Sequence, residues 1–165
     1  MLFALHEPRS GLLTRMGYAV VGLWLLALCS GCGTQWLPTK LQADATALYE
    51  VRSIGKLVAQ TAIELGYEGA VQITDILVLD LAKPVYQEAL DTAHDRLRKQ
   101  GWKDVGNRSD VIDMESSKWA KTYLEMGSME MLEQYEATQK PEIIKKLKDD
   151  PSHNVYLVVS LTKSG

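Results

Sequence analysis

Cysteine is nearly missing from this chain. Of 165 residues only Cys29 and Cys32 carry a thiol. Nothing after Cys32 can therefore form a disulfide, a thiol nucleophile or a sulfur-ligated metal centre, and the folded part must be held by an ordinary apolar core. Histidine is almost as scarce, with His6, His94 and His153 the whole supply, which argues against a histidine-rich metal site. There is no glycine-rich phosphate loop and no serine in a nucleophile-elbow pattern. Charge of one sign is also lacking: 18 basic and 21 acidic residues are well mixed and leave a net charge of −3. Nucleic acid rewards clustered Lys and Arg, so we expect no nucleic-acid partner. No apolar run reaches the roughly 20 residues that span a bilayer. There is no low-complexity tract and no convincing internal repeat.

What is present first is an apolar run from Gly17 to Leu28, preceded by Arg9 and Arg15 and followed by the small residues Ser30 and Gly31. A basic start, a short apolar middle and a small-residue end are the layout of a secretory signal. The stretch ending at Cys32 resembles the lipobox of bacterial lipoproteins, with Cys29 where that family usually has leucine and Leu28 one place earlier. The resemblance implies cleavage by signal peptidase II before Cys32, lipid on Cys32, and anchorage to the outer face of the cell membrane, or to the outer membrane in a diderm source. The organisation expected is a leader over 1–31, a lipid-anchored tether over 32–43 and one α+β domain over 44–165. Trp36 in the tether suits either the membrane interface or packing on the domain.

Within that domain, Leu48, Val51, Ile54, Val58, Ala62 and Leu65 recur at steps of three and four, which predicts a helix over 44–65, capped by Asp44 and stopped by Gly66. Gln72–Ala82 is apolar on both faces, with Asp75 the exception, and reads as a central strand covered on each side. Pro84–Gln100 predicts the strongest helix, with proline at its first position, a stripe through Ala89, Leu90, Ala93 and Leu97, and a stop at Gly101 with Trp102 closing back on it. Trp102–Val105 and Val111–Ser116 read as two strands joined by a five-residue loop over 106–110. Lys118–Met126 fits a strand or a loop. Ser128–Tyr135 and Pro141–Lys148 have helix starts, and Asn154–Lys163 is a final strand with Val155, Leu157, Val159 and Leu161 inward.

From Gln72 onward the order is strand, helix, strand, strand, helix, strand. This predicts an α+β fold, an antiparallel sheet with helices packed on it, ferredoxin-like (βαββαβ) after an extra N-terminal helix. The run through Gly101-Trp102, Met114–Trp119 and the terminal apolar strand resembles small lipoproteins of Actinobacteria, a resemblance that implies no particular activity.

Catalysis needs groups held together. Asp91, His94 and Asp95 lie within about a helical turn of one another, but they flank or oppose the apolar stripe, where a solvated face is expected. Asp110, Asp113 and Glu115 supply oxygens around a strand, yet a calcium loop needs more ligands at sharper spacing, and turn chemistry explains them better. No cofactor and no metal are expected. The unusual composition is Trp119, Tyr123, Met126, Met129, Met131 and Tyr135, side chains that serve equally as contact surface and as core. Trp119, Tyr123 and Met126 are the candidate binding surface. On a helix all three share a face. On a strand Trp119, Tyr123 and Glu125 do, with Met126 opposite. The function expected is a lipid-anchored binding or support module with an envelope protein as partner. The alternatives are an envelope enzyme with a carboxylate cleft and a carrier with a closed apolar cavity.

Overall fold

The computed structural model describes residues 38–67, 69–108, 110–133 and 141–165. The leader, Cys32, Trp36 and Tyr135 lie outside them, as do the side chains of Ile143 and Ile144. The elements below form one unit, Thr39–Gly165.

Strand β3 (Ala70–Asp80) is the axis of the sheet, and its middle is fully buried. On one side it pairs antiparallel with β2 (Lys56–Tyr67) along its whole length. On the other, its first residues pair in parallel with the short β1 (Thr39–Leu41), and Thr74–Leu79 pairs antiparallel with β7 (Leu157–Lys163). The sheet continues antiparallel through β6 (Thr122–Gly127), β5 (Val111–Ser116) and β4 (Trp102–Arg108). The order is thus β2-β3-β7-β6-β5-β4, with β1 extending the β7 side of β3.

Both faces of β3 are apolar because both are covered. On the first face, Leu77, Leu79 and Leu81 join α1 (Ala45–Arg52), through Ala47 and Val51, and α2 (Tyr86–Lys99), through Ala89, Leu90, Ala93 and Leu97. On the second, Ile76 and Val78 meet Met131 and Leu132 of α3 (Glu130–Glu133), Leu147 of α4 (Pro141–Lys148) and Tyr156. The fold is α+β. It departs from the ferredoxin-like order in two respects: helices lie on both faces, and β7 and β6 separate β3 from β5 and β4.

Several local expectations are met. The Asp44 carboxylate accepts a hydrogen bond from the Thr46 amide at 2.7 Å and caps α1. Gly101 has φ +97°, the left-handed conformation that ends a helix without a Cβ clash, and Trp102 is buried in the same core as Leu97. Ser128 Oγ accepts from the Glu130 amide at 3.3 Å, opening α3.

Other expectations are corrected. The helix begun at Asp44 ends at Arg52, and Lys56–Tyr67 is strand β2. A bulge between Leu57 and Ala59 shifts the pairing by one residue, and this breaks the alternation that would have marked a strand. Pro84 is not the first helical residue: α2 starts at Tyr86 after an uncapped Val85. Its start is instead tied by the Tyr86 hydroxyl, which donates to the Asp110 carbonyl at 3.2 Å. Burial, reinforced by the Asp110 and Glu130 charges, pushes that hydroxyl up to about 12. The β4–β5 connection is a tight turn, because β4 runs on to Arg108 and pairs there with Val111. Lys118–Met126 divides into a loop and strand β6. Val155 belongs to a 3-10 turn, His153–Val155, before β7.

Candidate functional site

Asp75 breaks the apolar face of β3 and remains there, almost fully buried. Gln42 Nε2 donates to its carboxylate at 3.4 Å. Burial raises its pKa, against the opposing effects of that hydrogen bond and of the Arg52 charge. This is a structural carboxylate beneath the helical layer.

The second face is covered only in part. Beyond the α3–α4 cover, alternation brings polar side chains upward in two rows that follow the strand register. One row runs Thr74, Thr162, Tyr123 and Glu115 across β3, β7, β6 and β5; the other runs Ser160, Glu125 and Asp113 across β7, β6 and β5. All of these but Glu115 line an open groove of about 530 Å³, with Leu65 of β2 at one end and Val105 of β4 at the other. The volume is within the ordinary range of ligand sites, about 300–1,000 Å³. The floor is hydroxylic: Thr74 and Ser160 are buried, and Thr74 Oγ1 lies 3.4 Å from Thr162 Oγ1. Leu65, Val105 and Tyr123 are exposed at its walls.

Two carboxylates stand side by side in the groove. Asp113 and Glu125 are directly opposed on β5 and β6, a pairing that like charges disfavour. Arg108 relieves it, with Nη2 at 2.7 Å from Glu125 Oε1 and 3.5 Å from Asp113 Oδ1. The β4 backbone is shaped around this pair. A Cβ on Gly106 would lie 2.8 Å from Asp113 Oδ2, so a side chain there would displace the carboxylate from this position. The adjacent bulge leaves Val105 unpaired, and Val105 lines the groove.

The candidate surface Trp119, Tyr123 and Met126 does not come together. Met126 is fully buried in the first core, because on β6 it alternates with Glu125. Trp119 packs against that same core, with its ring centroid 6.2 Å from that of Trp102. Beside it Lys118 Nζ bonds Glu50 Oε2 at 2.8 Å, and Trp102 Nε1 donates to Glu50 Oε1 at 3.2 Å. Trp119 is thus part of a clasp between α1, β4 and the β5–β6 loop. Of the three, Tyr123 alone lines the groove, beside Glu125; Trp119, which the strand alternative also placed on that face, packs on the first core instead.

Of the other candidates, His94 Nε2 meets Asp104 Oδ1 at 2.6 Å, joining α2 to β4. Asp91 accepts from Gln87 at 3.0 Å within α2. Asp95 is exposed. Asp110 sits in the β4–β5 turn, while Asp113 and Glu115 share the second face. Met129 and Met131 are buried in the second core. Among the described residues no three His, Cys, Asp or Glu side chains are grouped to hold a metal ion, and no helix is long and apolar enough to cross a membrane.

Sequence reasoning missed Arg108 and the hydroxyls Thr74, Ser160 and Thr162, and named Glu125 only as a neighbour of Tyr123 on a strand. A signal existed in β7, where Leu157, Val159 and Leu161 alternate with Val158, Ser160 and Thr162. An apolar run whose second face turns polar halfway marks the point where cover ends. Comparison with protein-family models, with curated proteins and with solved structures finds no match. The class defined by fold and site is an α+β domain whose mixed sheet carries an open groove lined by both polar and apolar side chains.

Proposed function

We propose that this chain is a non-catalytic binding module of a bacterial envelope, anchored at the outer face of a membrane by lipid on Cys32, with the groove as its contact site. The groove carries the reading. It combines an exposed aromatic ring, the residue type that dominates interface energies, with hydroxyls and carboxylates that fix orientation. Anchorage rests on the signal layout and the cysteine at its end. A second reading, an enzyme with a carboxylate cleft, is favoured by the Asp113–Glu125 pair alone. Arg108 bridging both carboxylates gives that pair a positioning role.

The test places a photocrosslinking residue at position 123 or at position 49, in otherwise wild-type and in Cys32→Ala protein, in intact cells. Tyr49 is 72 % exposed on α1 and serves as the control surface. Adducts are expected at 123 and not at 49, and Cys32→Ala is expected to leave the membrane fraction or remain an uncut precursor. Equal adducts at both positions contradict the groove as contact site, and a mature-sized, membrane-bound Cys32→Ala contradicts the lipid anchor.

A further inference from the structure

The lining of the groove narrows the chemistry of what it holds, given the reading of the groove as the contact site. Each strand beneath it is paired on both sides except at the outer edges of β2 and β4. A peptide lying across such a surface has no free strand edge to extend, so recognition by strand addition is excluded there. Lipid chains are a poor match for a floor of buried hydroxyls, since apolar cover would strip those groups of partners. Nucleic acid is opposed by the two carboxylates.

A chain of neutral sugars suits the hydroxyls, the carboxylates and the exposed ring between the aliphatic ends Leu65 and Val105. Its hydroxyls donate to carboxylates and exchange hydrogen bonds with Ser and Thr, which are donors and acceptors at once. Its C–H faces stack on an exposed aromatic ring such as Tyr123. The rows cross strands spaced about 4.8 Å apart, so polar side chains follow one another along the groove. Arg108 bridges Glu125 and Asp113, which holds both carboxylates in place as acceptors and offsets their charge. We propose that the groove binds a neutral polysaccharide laid across β3, β7, β6 and β5, with a sugar ring against Tyr123 and sugar hydroxyls on Thr74, Ser160, Glu125 and Asp113.

The test titrates the purified full chain with cello-, malto- and manno-oligosaccharides, and separately with a lysine-rich peptide. Saturable binding to at least one of the sugar series is expected. Tyr123→Ala should weaken it about tenfold or more with an unchanged melting temperature, and Glu125→Gln should weaken it in the same direction. The second variant decides the matter should the first fail to fold. Binding of no sugar series, or sugar binding untouched by both substitutions, overturns the proposal. Binding of the peptide alone also overturns it while leaving the groove as a contact site. A protease-sensitive adduct from position 123, in a protein that binds no sugar, does the same.

Discussion

Two aromatic residues of one short segment have opposite roles, and only their surroundings distinguish them. Trp119 stacks near Trp102 and packs on the first core, whereas Tyr123 is 38 % exposed at the groove. Truncating Trp119 removes core contacts and should cost about 2–4 kcal/mol, below the full value for a wholly buried ring. Truncating Tyr123 should cost less than about 1 kcal/mol. Urea denaturation of the two alanine variants checks this, and a reversed ranking would mean that the faces of β6 have been misassigned.

A second prediction at this scale concerns Asp75. Its folded pKa lies above the unfolded value near 3.8 because burial penalises the charged form. The folded state therefore holds a proton that the unfolded chain has already released, and stability falls as pH rises through the window between the two values. Asp44 and Asp150 act with the opposite sign. Each is held low, chiefly by a backbone N–H bond, so their stabilisation is present above 3.8 and is lost as pH falls through their lower folded values. Asp75→Asn should melt higher than wild type at neutral pH, and the gap should close on acidification below about pH 4. A gap that is constant with pH would contradict a titrating Asp75.

Elements were legible in the sequence where propensity, period and punctuation agreed. Helix α2 showed its stripe and its glycine stop, β3 showed a run apolar on both faces, β7 showed its inward alternation, and Val111–Ser116 is β5 to the residue. Strand β2 was hidden for a physical reason: its bulge puts Leu57 and Ala59 out of step, and the remaining apolar positions then fall by accident on a helical spacing. Strand β6 was half hidden because the loop before it carries a tryptophan that belongs to the core. The stop of α2 offers the test at this scale. An alanine at Gly101 would have to adopt φ +97° and place its Cβ 2.9 Å from Ser117 Oγ, so Gly101→Ala should destabilise by about 1–3 kcal/mol. A melting temperature equal to wild type would show that the turn can relax, against the fixed α2–β4 junction described above.

At the scale of the whole molecule, the decisive feature is unequal cover. The helices α1 and α2 lie over one face of the sheet, while α3 and α4 cover only part of the other, and the uncovered part sets hydroxyls and carboxylates among apolar side chains such as Leu65 and Val105. The site was therefore legible only in pieces. Tyr123 could be picked by residue type and Glu125 lies two residues along the same strand, but Thr74, Ser160 and Thr162 come from strands far apart in sequence, and their meeting with Tyr123 depends on β7 lying between β3 and β6. That insertion is a long-range pairing which no local pattern reveals.

If this uncovered face is the working surface, its side chains should be shielded wherever the protein is at work. Hydroxyl-radical footprinting compares the reactivity of Tyr123 with that of Tyr49, once on the purified protein and once on the protein in isolated native envelopes. The account predicts that Tyr123 loses several-fold in reactivity in the envelope while Tyr49 is unchanged. Equal reactivity of Tyr123 in the two preparations, or a parallel loss at both tyrosines, would contradict the groove as the contact surface.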